Sequence, residues 1–220
     1  GCCRLHDRGK AARWRDRGGM TPAALARLIA EKAAGHQGRF LVAIAGPPAS
    51  GKTTLAADLA HTLGQGARVV PMDGFHFDDA VLMARGHRAR KGAPHTFDVA
   101  GLAHCLSRIR AGDEVAIPIF DRSLELARAA ADVVGPEDRI IVVEGNYLLL
   151  NRAPWTDLQA LFDFRVLVTA SEELRTRRLV ARWEHYGRSD AADWIASNDL
   201  PNARVVLAES TGADLVVAAD

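Results

Sequence analysis

The sequence predicts an α/β fold with a doubly wound, mainly parallel sheet. Short apolar runs rich in Val, Ile and Leu alternate along the chain with segments that carry apolar residues at helical spacing. One run, RFLVAIAG at residues 39–46, is apolar throughout after its first residue and ends in glycine, which is typical of a strand buried on both faces. A chain of 220 residues is also long enough for one such domain with a sizeable core.

The predicted elements alternate along the chain. The first helix begins with Thr21 as its cap and Pro22 as its first residue, and it ends at Gly35. Strands are predicted at residues 39–46, 67–73, 114–121, 139–145, 162–169 and 213–219. Further helices are predicted at residues 54–64, 99–112 and 171–187, with one more before the last strand. The last of these numbered helices opens with a serine cap followed by two acidic residues.

Composition and charge narrow the class of protein. With 48% hydrophobic and 25% charged residues the chain resembles a soluble globular protein, and no apolar run approaches the roughly 18–20 residues of a membrane span. Residues 1–19 hold six Lys or Arg and two Asp, which leaves the remainder with a net charge of −3. We expect residues 1–19 to be a disordered extension and residues 20–220 to form a single domain. A basic tail that binds nucleic acid or directs import is the less favoured alternative.

The domain itself has no basic stripe interleaved with aromatic residues, so we expect a small-molecule partner, no nucleic acid and no membrane. Three cysteines are an odd number and do not indicate a disulfide framework, so we expect a cytoplasmic protein. Cys105 lies at helical spacing from other apolar residues, which predicts a core position. The sequence is also compatible with a homodimer.

The segment GPPASGKT, residues 46–53, matches G-x-x-x-x-G-K-[ST] at every fixed position. It follows a predicted buried strand and opens a helix, the context in which this motif binds phosphates. We expect Lys52 to reach the β- and γ-phosphates and the Thr53 hydroxyl to ligate Mg²⁺. The residues expected to bind the nucleotide here are Gly46, Ala49, Ser50, Gly51, Lys52, Thr53 and Thr54. The sequence therefore predicts a site for a nucleoside triphosphate and Mg²⁺.

Two acidic residues follow other predicted strands. Glu144 ends the strand at residues 139–145 and is expected to hold Mg²⁺ through a water or to accept from Thr53; a surface acid is the alternative. Asp73 is the third residue of PMDGFHFDD, residues 71–79, and ends the strand predicted at residues 67–73. Because ligands of such folds sit beyond the carboxyl ends of the strands, Asp73 is the candidate base for an attacking hydroxyl. Phe75 and His76 would wall the acceptor, with loop packing as the alternative for His76. Asp78 and Asp79 are typical of a helix cap, with substrate contact as the alternative.

In this order after the phosphate loop, five segments resemble those of the uridine kinase, pantothenate kinase and phosphoribulokinase branch of P-loop kinases. They are PMDGFHFDD (71–79), RKGAPHTFD (90–98), IPIFDRSLE (117–125), IVVEGNYLLL (141–150) and NDLPNARVV (198–206). The chain is similar above all to bacterial kinases described as nucleoside/nucleotide kinase-like or fructose-transport-associated. The resemblance implies the P-loop nucleoside triphosphate hydrolase fold with a helical lid, and ATP as the phosphoryl donor.

The resemblance also implies roles for individual residues. A mobile lid at about residues 174–190 would bring Arg177, Arg178 and Arg182 to the triphosphate, and it makes Arg178 and Arg182 catalytic together with Lys52, Asp73 and Glu144. The residues expected on the acceptor side are Asp73, Phe75, His76, Arg88, His95, Arg122 and Tyr147.

The basic character of several of these residues suits a polyhydroxylated or anionic acceptor. We therefore predict an ATP- and Mg²⁺-dependent kinase that phosphorylates a hydroxyl of a small metabolite, with a sugar as the first choice (fructokinase-like). A pantothenate or nucleoside kinase is the alternative within the class, and a regulatory protein that hydrolyses nucleotide slowly is the alternative outside it.

Overall fold

The computed structural model describes residues 14–15 and 20–219. The strands in this part of the chain, numbered in chain order, are β1 (Trp14–Arg15), β2 (Phe40–Ala45), β3 (Ala67–Pro71), β4 (Val115–Asp121), β5 (Leu126–Val134), β6 (Ile140–Gly145), β7 (Phe164–Ala170) and β8 (Leu215–Ala219). The α-helices are α1 (Pro22–Ala34), α2 (Lys52–Leu63), α3 (Asp79–Ala84), α4 (Val99–Ala111), α5 (Glu172–His185), α6 (Ala191–Trp194) and α7 (Leu200–Glu209). A π-helical segment, Ile195–Asp199, joins α6 to α7.

The main sheet has the strand order β1-β8-β7-β2-β6-β3. All neighbouring strands in it are parallel except β1, which pairs antiparallel with β8 at the edge. In the register, Ile44 of β2 and Pro71 of β3 both lie opposite Glu144 of β6. The carboxyl ends of these three strands therefore lie side by side, and each leads into one of the predicted functional segments. The predicted α/β class with a mainly parallel sheet is confirmed.

Both faces of this sheet are covered, which is why its central strand β2 is apolar throughout. Leu41 and Ala43 of β2 pack into a core cluster shared with α4 and α7. Val42 and Ile44, which point to the opposite face, pack into a second cluster with α1 and α2. Such helical layers on both faces are typical of doubly wound sheets.

The strand predicted at residues 114–121 forms as β4, but it lies outside the parallel sheet. It pairs antiparallel with β5 in a separate two-stranded sheet. Val115 and Ile117 are buried while Ala116 between them is exposed, which is the alternation of a strand with one solvated face. The partner β5 was not predicted, because its alanine-rich and largely exposed sequence carries no continuous apolar signal. We call β4 and β5 the hairpin.

Several local predictions are confirmed. The hydroxyl of Thr21 caps α1 by accepting from the backbone N–H of Ala24, and Ser171 caps α5 in the same way. Asp78 caps α3. Cys105 is a core residue of α4, and burial raises the pKa of its thiol to about 11.

The predicted disordered extension at residues 1–19 lies outside the described residues apart from Trp14–Arg15, whose backbone pairs with Ala218 and Ala219 of β8. Within the part of the chain that the structure describes, each helix is too short or too polar to cross a lipid bilayer.

Candidate functional site

The glycine-rich loop at residues 46–53 connects β2 to α2. Gly51 precedes the helix with φ +94°, a conformation that residues with a β-carbon rarely adopt, and Ala49 also has a positive φ of +60°. Ser50 is fully buried, and its hydroxyl has no hydrogen-bond partner among the described residues. Thr54 lies exposed in the first turn of α2. A loop of this shape at a helix N-terminus is an anion-binding concavity.

Lys52 is the first residue of α2 and is only 9% exposed. Burial lowers the pKa of its ammonium group, and the carboxylates of Glu144 and Asp73 partly offset this effect. Both predicted acidic residues therefore lie within electrostatic reach of the loop lysine, as the adjacency of the three strand ends requires.

Glu144 is buried beside the loop and accepts a hydrogen bond of 3.2 Å from the hydroxyl of Thr53. Burial raises the pKa of Glu144, and the charge of Lys52 acts in the opposite direction. A hydroxyl next to a carboxylate at the start of α2 is a set of hard oxygen donors, the kind that Mg²⁺ prefers. The expected contact between Thr53 and Glu144 is thus present in the structure.

Asp73 lies in a short 3₁₀ turn, Met72–Phe75, directly after β3. The hairpin approaches this turn so closely that a β-carbon on Gly74 would lie 2.2 Å from the carbonyl oxygen of Pro118. From the hairpin, Arg122 donates to Asp73, with 2.6 Å between Nη2 and Oδ2. Burial alone would raise the pKa of Asp73, but nearby positive charges, that of Arg122 first among them, hold it below its usual value.

Several of these groups line one cleft of about 540 Å³, whereas Glu144 lies behind Thr53 and is not part of its lining. Of the predicted residues, Lys52, Thr53, Asp73, His76, Arg88, Arg122 and Arg182 line it. His76 also packs its ring against Phe97 and Phe120, so the two interpretations of this residue, substrate contact and loop packing, are compatible. Arg88 forms an ion pair with Asp79 at 2.7 Å.

Three predicted acceptor-side residues do not line the cleft. Phe75 packs against the core, and Tyr147 is fully buried, with its hydroxyl donating to the carbonyl oxygen of Gly92. His95 is exposed and lies edge to face with His87. These three side chains are therefore not placed to contact a ligand in the cleft. Phe75 and Tyr147 pack within the protein, and His95 faces solvent.

The predicted lid helix is α5. Its Arg178 donates to the carbonyl oxygen of Ala49 in the phosphate loop at 3.2 Å. Arg182, one turn further, reaches the cleft, where burial and the nearby charge of Arg122 lower the pKa of its guanidinium. Arg177 instead points to solvent, with its side chain 68% exposed and 3.5 Å from Glu173. Of the three arginines, Arg178 and Arg182 therefore lie on the side of the site, and Arg177 does not.

Part of the cleft comes from residues to which the sequence analysis gave no role. They include Lys91, Phe120, Glu125, Asn146, Trp183, Tyr186, Arg188, Trp194, Asn198, Asp199 and Asn202. One signal was available, because the segment at residues 198–206 supported the resemblance to the kinase branch without any of its residues receiving a function. The tryptophans carried no such signal, since they belong to no local motif.

Comparisons with known proteins agree with this geometry. A family model described as "Phosphoribulokinase / Uridine kinase family" matches residues 41–192. The uncharacterised YggC protein of Escherichia coli (strain K12) is 34% identical over 198 residues, which cover 86% of this chain and 82% of YggC. A candidate uridine kinase of Schizosaccharomyces pombe is 32% identical over 198 residues, which cover 83% of this chain and 84% of the yeast protein.

A solved structure supports the same conclusion. The crystal structure of a candidate fructose transport system kinase from Silicibacter sp. TM1040 is 43% identical, has a TM-score of 0.85, and matches over 90% of this chain and 99% of its own. The resemblance that the five segments indicated is thereby confirmed. The chain belongs to the phosphoribulokinase/uridine kinase family and is an ATP-dependent kinase of a small-molecule substrate.

Proposed function

We propose that the protein transfers the γ-phosphoryl group of ATP to a hydroxyl of a small polyhydroxylated metabolite, with a sugar such as fructose as the first choice. The observation that carries this proposal is the single cleft that contains both the end of the phosphate loop, Lys52 and Thr53, and the carboxylate of Asp73. A donor phosphate and an acceptor hydroxyl bound in this cleft would meet between these groups.

In this proposal Asp73 accepts the proton of the attacking hydroxyl. A base must be deprotonated at the working pH, and the pKa of Asp73, held low by surrounding positive charge, favours the carboxylate. Lys52 and Arg182 supply positive charge where negative charge accumulates on the transferring group.

Thr53 and Glu144 are the residues that would hold Mg²⁺, since a hydroxyl and a carboxylate lie together at the start of α2. When bound, the ion supplies charge neutralisation of the phosphates. Glu144, through its hydrogen bond with Thr53, keeps that hydroxyl oriented toward the phosphate loop.

Residues 174–190 serve as the lid. The contact of α5 with the loop is small: Leu179 packs on Ala49 and Ile195, and Arg178 donates to the Ala49 carbonyl. Because this contact with the loop is small, α5 can move away from the loop and return at low cost, which lets substrates enter and then excludes water.

The preference for a sugar follows from polar and aromatic side chains that line the cleft. The side chains of Asn146 and Asp199 can exchange hydrogen bonds with hydroxyl groups, and Trp183 and Trp194 offer flat apolar surfaces. The description of the Silicibacter relative as a fructose transport system kinase points in the same direction. The yeast relative's description favours a nucleoside as the second candidate.

The test is an ADP-release assay with ATP and Mg²⁺ across D-fructose, other sugars, pantothenate and uridine. We expect release that depends on a sugar, and we expect Asp73→Asn to lower it by about 10² or more, as is typical when a positioned base is lost. Asp78→Asn is the matched control, because Asp78 caps α3 and lies outside the cleft. Release that is equally fast without any acceptor, or a larger loss in the Asp78 variant, would refute the proposal.

A further inference from the structure

Asp199 is a buried carboxylate of the cleft that none of the steps proposed above uses. It is 8% exposed and is the last residue of the π-helical segment Ile195–Asp199. Segments of this kind are rare and occur frequently at functional sites, because the additional residue per turn changes the direction of the side chains. The π-helical segment that carries Asp199 into the cleft is therefore consistent with a functional role for this residue.

Two amide side chains fix this segment against the loop that precedes α4. Asn198 donates to the carbonyl oxygen of Lys91 at 2.7 Å and accepts from Asn202 at 3.3 Å. Asn202 in turn accepts from Arg90 at 3.2 Å. Because most of the hydrogen-bonding capacity of these amides is used within the protein, they hold the segment in place and leave recognition to the neighbouring carboxylate.

Only one oxygen of that carboxylate is occupied. Oδ2 of Asp199 accepts from the indole N–H of Trp183 at 2.7 Å, whereas Oδ1 accepts no hydrogen bond from the described residues. Burial raises the pKa of Asp199, while the Trp183 hydrogen bond and the charges of Arg182 and Arg188 favour the ionised form. Oδ1 is not fully enclosed by protein atoms and is open to the cleft, so a ligand hydroxyl bound there can donate to it.

We infer that Oδ1 of Asp199 accepts a hydrogen bond from a hydroxyl of the acceptor other than the one that is phosphorylated. This inference rests on the proposed function and restricts its acceptor to molecules with at least two hydroxyl groups. A carboxylate or phosphate group of the acceptor would be repelled from this position. Because Trp183 belongs to α5, the same carboxylate also connects the bound acceptor to the proposed lid.

The test is Asp199→Asn, which keeps the size of the side chain but leaves a single oxygen for two donors, Trp183 and the acceptor hydroxyl. With the best acceptor from the panel, we expect its KM to rise by about 10- to 100-fold, the effect of losing a hydrogen bond to a charged group. The KM for ATP should stay unchanged. Asp193→Asn is the matched control, because Asp193 is exposed on α6 and lies outside the cleft.

Deoxy analogues of the same acceptor, each lacking one non-reacting hydroxyl, provide a second measurement that does not depend on the variant being well folded. With the unmodified protein, one analogue should have a KM about 10-fold or more above that of the parent acceptor. In Asp199→Asn the same analogue should raise KM little further, because both changes remove the same interaction. The inference is wrong if no analogue loses affinity, if the losses multiply, or if the KM for ATP rises equally. A preference for uridine or pantothenate would overturn the sugar assignment but not the inference about Asp199. Both molecules carry a second hydroxyl on which the role of Asp199 can be tested.

Discussion

Replacing Arg122 with glutamine tests whether its ion pair keeps Asp73 deprotonated during turnover. Nη2 of Arg122 lies 2.6 Å from Oδ2 of Asp73. Burial alone would raise the pKa of Asp73, and the charge of Arg122 is the largest of the opposing effects that lower it. We therefore expect Arg122→Gln to raise the pKa of Asp73.

The magnitude follows from the geometry of the pair. Two unit charges about 4 Å apart attract each other by about 1 kcal/mol in water and about 4 kcal/mol at the effective dielectric constant of a protein surface. The side chains of Arg122 and Asp73 are 38% and 25% exposed, so water screens the pair and the lower part of this range applies. Since about 1.4 kcal/mol corresponds to one pKa unit, we expect a rise of about one unit.

The assay is the pH dependence of kcat/KM, measured by ADP release. A base works only when deprotonated, so activity is lost as the pH falls through the pKa of Asp73, and a raised pKa moves this acidic limb to higher pH. Arg128→Gln is the control, because Arg128 belongs to the same hairpin but pairs with Asp121 at 3.5 Å, outside the cleft. An acidic limb that stays in place in Arg122→Gln, or moves to lower pH, would refute the reasoning.

Three further predictions separate the roles of other residues. Lys52→Ala should leave the thermal unfolding curve unchanged but lower transfer by about 10²- to 10⁴-fold, and a variant with more than half of the normal turnover would exclude the proposed phosphate site. Replacing Arg178 and Arg182 together by alanine should lower kcat more than it weakens ATP binding, which titration measures. The control Arg177→Ala should change neither quantity. A large loss of ATP affinity with normal kcat would contradict the lid assignment. Arg39→Met should lower the free energy of unfolding by about 3 kcal/mol or more, because the buried guanidinium donates to four backbone carbonyl groups. Unfolding in urea measures this free energy, and a loss below about 1 kcal/mol would contradict the prediction.

The nucleotide side of the site could be predicted because its determinants are local in the sequence. The loop at residues 46–53 is continuous, and its spacing after a buried strand predicts a phosphate-binding turn, a lysine that reaches the phosphates and a helix start. Glu144 and Asp73 follow predicted strands, and parallel strands bring their carboxyl ends to one edge of a sheet. Their proximity to Lys52 thus follows from the fold class together with position along the chain.

The acceptor side depends on contacts between distant segments, and it was predicted only in part. Trp183 and Asp199 lie 16 residues apart on different helices, and the π-helical segment that directs Asp199 into the cleft has no recognisable sequence pattern. Conversely, Tyr147 and His95 belong to segments that resemble the kinase branch, yet one is in the core and the other faces solvent. A motif therefore located the right segments of the chain without determining which side chains in them face the ligand.

The pairing of Arg122 with Asp73 shows what such a prediction lacks. The sequence named both residues, but their contact depends on the hairpin packing against the turn at Met72–Phe75, and this packing requires Gly74, where a β-carbon would lie 2.2 Å from the Pro118 carbonyl. Gly74 thus affects the candidate base indirectly, because any side chain there would push the hairpin away and move the guanidinium from the carboxylate. The protonation state of the proposed base is for this reason controlled by backbone packing as well as by the charged residues themselves, and an alanine at position 74 should shift the acidic limb of kcat/KM in the same direction as Arg122→Gln.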